Sequence, residues 1–284
     1  MGEKKKVYIL VKTYPTISRE YSELVCTAGL QEDGTWIRLY PVPFRKLDID
    51  QKYPKYTWIE LEVDRNTKDF RPETYRPRLD TIQVSPKSKR VDWDQRRRII
   101  LKKTKVYTDL TELIADARTK STSLAIFKPT KVISFSAKEC EQRDWDPDKV
   151  AILEALSKQQ SFFQTPEELE NEFKLVKKVP YKFYYTFEDC NGKQSQMMIE
   201  DWEIGMLFFH CLDSASGNEQ EAIKKVKEKY FDYFAKSCDL YFFLGTTLKH
   251  HNTAKNPFVI IGEFHPPMQQ FEQTSMFEDM GGTI

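Results

Sequence analysis

The sequence predicts an α+β protein, in which a small basic β-barrel module precedes an acidic ββααββ module. Three observations carry this expectation. Short alternating runs with hairpin turns fill the first part of the chain, helix-spaced apolar residues gather later, and charge is divided unevenly between the two. Residues 1–135 carry 28 Lys and Arg against 18 Asp and Glu, a balance of +10, and residues 136–284 carry 16 against 25, a balance of −9. The 284-residue chain as a whole is at +1, so the asymmetry is internal and suggests two modules with different surfaces.

In chain order, Val7–Thr13, Glu23–Leu30, Trp36–Val42 and Thr57–Asp64 read as strands. Asp33-Gly34 supplies the positive φ of a tight hairpin between the second and third, and Pro41 and Pro43 end the third because proline cannot donate to a ladder. Residues 65–86, with R-P-E-T-Y-R-P-R, read as an ordered surface loop. Gln95–Thr104 and Asp109–Lys120 have helical composition, with Asp109 as a cap, and Lys131–Ser136 reads as a strand closing this half. Asp148–Gln159 is a further helix, and Thr165-Pro166-Glu167-Glu168 has the residues of a helix start. The module boundary is therefore placed at 165, giving modules 1–165 and 166–284. In the second, Tyr181–Glu188 and Lys193–Ile199 form a hairpin about Asn191-Gly192. Helices at Glu200–Leu212 and Glu219–Lys236 and strands at Asp239–Gly245 and Pro257–Phe264 complete it.

Composition narrows the class of function. No leader is evident, and no apolar run approaches the ~20 residues that span a bilayer, so a cytoplasmic protein without a membrane partner is expected. Five widely spaced cysteines, with no C-x-x-C pair, suggest neither a disulfide framework nor a metal site. Phosphate-loop, dinucleotide-binding, zinc-protease and nucleophile-elbow motifs are absent, and no cofactor is expected.

Two stretches concentrate chemistry. Lys87–Lys105 holds nine cations against Asp92 and Asp94, a local charge of +7. Such a field suits a polyanion, DNA before RNA, although a solvated helix face would look the same. The candidate contacts are Lys87, Lys89, Arg90, Arg96, Arg97, Arg98, Lys102 and Lys103, with Trp93 as a stacking residue. Arg38, Arg71, Arg76 and Arg78 would extend the face. The second stretch is I-E-D-W-E-I-G. Asp201 and Glu203 open a helix on which Glu203 and His210 share one face, beside Trp202, Phe208 and Phe209. A carboxyl among aromatic rings can work as acid or base, or stabilise the oxocarbenium ion formed as a base leaves its sugar; equally, Asp201 can simply cap the helix. His250 and His251 lie in a polar loop where solvent exposure is expected.

The hairpin C-T-A-G-L-x-x-D-G-x-W-I-R, Cys26 to Arg38, resembles the opening of dual oligonucleotide/oligosaccharide-binding (OB) barrel proteins, departing from their pattern at Leu39-Tyr40-Pro41. D-W-E-I-G (201–205) and L-Y-F-F-L-G-T (240–246) resemble an uncharacterised microbial family. The resemblance implies an OB- or PUA-like barrel handling nucleic acid in a defence setting. Three readings follow: a nucleic-acid-binding protein; a metal-independent N-glycosylase acting on a flipped base, normal or modified, through Asp201, Glu203 and His210; and a protein–protein adaptor.

Overall fold

A computed structural model describes residues 2–18, 22–86, 92–160 and 176–268. Two sheets lie against each other, mixed with helices in an α+β arrangement. The first closes on itself. Strands β1 (Glu3–Lys12), β3 (Ser22–Leu30), β4 (Trp36–Val42), β6 (Thr74–Pro77) and β5 (Trp58–Arg65) follow in that order, and β5 pairs back onto β1 from Glu3↔Val63 to Tyr8↔Trp58. The short strands β2 (Thr16–Ser18) and β7 (Gln83–Val84) lie off the ring. Gly34 has φ +87°, as the Asp33-Gly34 hairpin requires.

Closure depends on a strand that the sequence reading missed. The segment 65–86, expected to be a surface loop, contains β6, which pairs with β4 at Arg38↔Thr74 and with β5 at Asp64↔Arg76. Four residues with a terminal proline give too little alternation to register as a strand. The strand at Trp36–Val42 also runs through Pro41 to Val42, alongside a register irregularity between Val25 and Thr27.

Val7 and Ile9 of β1 point into the barrel with Val25, Ile37, Leu39 and Leu61, whereas Tyr8, Leu10 and Val11 point outward and are buried as well. Burial on both faces explains a nearly unbroken apolar run. The outward face packs on the second sheet, where Leu30, Ile100, Ile126, Phe243, Ile261 and Phe264 complete a shared core.

The second sheet runs β10 (Lys131–Glu139), β11 (Tyr181–Glu188), β12 (Gln194–Ile199), β14 (Phe258–Phe264), β13 (Tyr241–Thr246), β9 (Leu124–Phe127), β8 (Val106–Tyr107). The strand expected to close the first half, β10, instead pairs with β11 along its whole length, and β9 pairs with β13. Residues 106–139 therefore belong to the second sheet, well before residue 165. The Thr165–Glu168 helix start lies outside the described residues. The sheet's far face is covered by helices α2 (Leu110–Thr119), α4 (Trp202–Ser214) and α5 (Glu219–Lys227), the last continuing as π-helix to Ala235. Asp109 caps α2 by accepting from the Thr111 and Glu112 amides. Helix α1 (Trp93–Leu101), capped by Asp92, and α3 (Pro147–Gln160) complete the set. Among the described residues, no helix is long and apolar enough to cross a membrane.

Candidate functional site: a caged lysine at the seam

Between Tyr53 and Thr57 the chain is tied to β1, with Tyr56 N–H donating to Ile9 O (2.7 Å) and Ile9 N–H to Thr57 O (3.0 Å). Tyr56 sits at φ +61°, a left-handed conformation that is costly for a bulky aromatic residue and concentrates at functional sites. Its neighbour Lys55 is buried at the seam between the sheets. There Lys55 Nζ donates to both Asp201 oxygens (3.0 Å each) and to Glu203 Oε2 (2.9 Å). The three ammonium hydrogens thus meet three carboxylate oxygens.

Helix α4 supplies both acids. Asp201 has N-cap backbone geometry, but its side chain makes no capping bond, because Lys55 takes both of its oxygens. The simple capping role considered for Asp201 is therefore not the one it has. Two residues onward Glu203 reaches the rim, its side chain 55% exposed against 0% for Asp201. A third carboxyl comes from β14. Glu263 is buried in an apolar strand beside Asp201, and its Oε1 has no hydrogen-bond partner.

The charges sort themselves by environment. Burial raises the Asp201 pKa to about 6, against the pull of Lys55. Burial, reinforced by Asp201, raises the Glu263 pKa well above its usual value and so favours its protonated form. Glu203 is also disfavoured by desolvation, but Lys55 outweighs this and holds it ionised, below its usual value. Burial works against the Lys55 charge, and the two acids more than restore it. Nearby, Lys12 is lowered to about 8 by burial and by Lys55, with its ammonium 4.4 Å above the Phe44 ring. An ionised carboxylate at the rim backed by protonatable carboxyls is the division that acid–base chemistry uses.

The basic helix α1 abuts the same site. The Arg96 guanidinium lies 4.0 Å over the Tyr56 ring and 5.0 Å over Trp93. Trp93 meets the His265 ring edge-on at 5.8 Å, and His265 stacks on Phe234 at 3.7 Å. Burial lowers the His265 pKa to about 4, leaving a neutral ring whose buried Nδ1 is unpartnered. Trp93, Arg96, Asp201 and Glu203, chosen separately from the sequence, therefore converge. His210 does not: it is exposed further along α4.

The continuous basic face does not form as expected. Arg38, 2% exposed, donates to Thr74 Oγ1, Ser123 Oγ and Ser123 O inside the seam. Arg71 is buried against Asp69 and Thr246 O. Both stand on strands and turns where the barrel meets the second sheet, which removes them from any surface. Arg78 is taken by Asp64 and Glu62, Arg97 by Asp239 (2.6 Å), and Lys103 by Glu32 O. Arg76, Arg98 and Lys102 are exposed, while Lys87, Lys89 and Arg90 lie outside the described residues. His250 is exposed, but His251 is buried, with Nδ1 2.8 Å from Thr246 Oγ1 and Nε2 donating to Ala117 O. Among the described residues, no group of three or more His, Cys, Asp or Glu is arranged to hold a metal ion.

Sequence reasoning missed Lys55, Tyr56, Lys12 and Glu263. Glu263 had a signal, a lone acid in the apolar run F-V-I-I-G-E-F. Lys55 had none, since its carboxylate partner is 146 residues away.

Comparison with protein families finds two matches. The model of a domain of unknown function, DUF8757, covers residues 106–281. The chain belongs to the DUF8757 family. A second model, also a domain of unknown function, DUF8758, covers residues 3–102. The DUF8757 match begins where the second sheet begins, at Val106, so the seam site joins Lys55 and Arg96 from the DUF8758 match to three acids from DUF8757. No curated protein matches the chain.

Proposed function

We propose that the protein engages nucleic acid, DNA before RNA, and hydrolyses the bond between a displaced base and its sugar at the Lys55 cluster. The observation that carries this reading is Glu203, an ionised carboxylate held at the rim by a buried lysine beside the Trp93–Arg96–Tyr56 stack. In this reading Glu203 takes a proton from water as the water oxygen bonds to sugar C1′. The C1′–N electron pair leaves with the base, which takes up a proton from solvent, and the same carboxylate steadies the oxocarbenium-like transition state. Lys55, Asp201 and Glu263 act as positioning residues, fixing where Glu203 points and keeping it charged. Arg96 and Trp93 offer a cationic and aromatic surface to a flipped base. The closed barrel is compatible with an OB-like backbone-binding module, to which Arg76, Arg98 and Lys102 would add phosphate contacts.

The test is incubation with normal and base-modified oligonucleotides, followed by detection of abasic sites. Release of a base that falls by about 10²–10⁴-fold in Glu203→Gln is expected. No release from any substrate, or full activity in the variant, would overturn the reading. Affinity for the strand should also weaken between ~50 and ~200 mM salt.

One observation favours a second reading, a protein–protein adaptor. Arg97 pairs the basic helix with Asp239, just before β13 of the second sheet, which Lys128 also reaches, so part of the positive charge is answered within the chain. Unchanged nucleic-acid affinity in Arg98→Ala/Lys102→Ala would support that alternative.

A further inference from the structure

Arg38 raises a separate question. It is a guanidinium 2% exposed, and all three of its hydrogen bonds go to neutral acceptors on Thr74 and Ser123. Among the described residues it has no ion pair. Glu73 answers it only through Ser123, whose hydroxyl and amide both donate to the Glu73 carboxylate. A buried cation without a direct counter-charge is expensive, and such a group is ordinarily met by an anion.

The cavity beside it has room for one. A cleft of about 360 Å³ opens along the seam, lined by Arg38, Arg71, Cys26, Tyr40, Glu200 and Thr247. That volume is within the range of small-molecule sites. Thr247 Oγ1 is buried there without any hydrogen-bond partner, a second polar group left open. Leu24, Leu248, Val259 and Ile261 give the rest of the wall an apolar part beside threonines, and Leu248 stands at the mouth, 43% exposed. Asp69 already satisfies Arg71, and the Cys26 thiol is in hydrogen-bond reach of Arg38, which leaves the uncompensated charge of Arg38 and the Thr247 hydroxyl as the open polar features of the cleft. Ordinary core packing accounts for neither.

We infer that this cleft binds a small organic anion, whose carboxylate or phosphate oxygens meet Arg38 and Thr247 and whose apolar body, about one ring in size, lies against Leu248 and Ile261. The site is distinct from the Lys55 cluster and does not depend on the reaction proposed there.

Calorimetric titration of the full chain with benzoate, inorganic phosphate and the neutral isostere benzamide tests the inference. Benzoate should bind at least about tenfold more tightly than benzamide, because only the anion compensates Arg38. Phosphate binding more tightly than benzoate would identify the head group as phosphoryl; the reverse would identify a carboxylate. Arg38→Met should abolish anion binding. Because that buried change can prevent folding, Leu248→Trp, made at the half-exposed mouth, is the companion variant and should block benzoate while leaving the thermal transition in place. Binding of neither anion to the unmodified chain, or undiminished binding in Leu248→Trp, would overturn the assignment.

Discussion

Lys55 shows how much a single side chain can hold together at the seam. Its side chain is 4% exposed and that of Asp201 fully buried, so removing the ammonium leaves two acids facing each other without compensation. Lys55→Met should cost about 3–5 kcal/mol in urea unfolding near neutral pH. The loss should shrink below pH 6, where Asp201 can take a proton. His265 gives a second prediction. Its folded pKa lies near 4, below the usual 6.5, so the unfolded chain binds the extra proton first as pH falls. The stability associated with the neutral ring is complete above 6.5 and is lost as pH drops towards 4. His265→Phe should flatten the dependence of unfolding free energy on pH across that window. The acids at 201 and 203 were legible in sequence because they open a helix beside aromatic residues, whereas Lys55 depends on a partner that only the fold brings near.

Elements were legible where local chemistry dictates them. The Asp33-Gly34 and Asn191-Gly192 turns, with φ +87° and +73° at the glycines, and the Asp109 cap follow from turn and cap preferences alone. Strand β6 was illegible because four residues carry almost no periodicity, and β10 was assigned to the wrong sheet because pairing partners are not written in one strand's pattern. Helix α4 carries a constraint that composition hides. A Cβ on Gly205 would lie 2.3 Å from the Tyr14 ring, and the Tyr14 hydroxyl is fixed by its bond to Lys177 O (2.7 Å). Gly205→Ala should therefore push the start of α4 off the barrel, costing about 1–3 kcal/mol by overpacking. In the proposed reaction the same variant should reduce turnover more than binding, because Glu203 rides on that turn.

For the whole molecule, the question is whether the two family matches behave as two units. The charge asymmetry suggested two modules with different surfaces, and the outward face of the barrel and the inner face of the second sheet form one core through Leu10, Leu30, Ile126 and Phe243. Phe243→Ala should cost about 3–5 kcal/mol and lower the barrel's unfolding midpoint as well as that of the sheet. A single coincident transition seen by barrel and sheet probes is the expected result; two separated transitions would show that the seam does not couple them.

The second sheet also has a consequence for biosynthesis. Among the described residues strand β9, made early, pairs only with β8 and with β13, which begins at Tyr241, and β13 in turn needs β14 at 258–264. While the ribosome is still adding the intervening hundred or so residues, the greasy outer wall of the barrel has no neighbour to rest on. The emerging chain therefore passes through a sticky interval that ends only when its final strands are released, and nascent-chain chaperones are the natural cover for it.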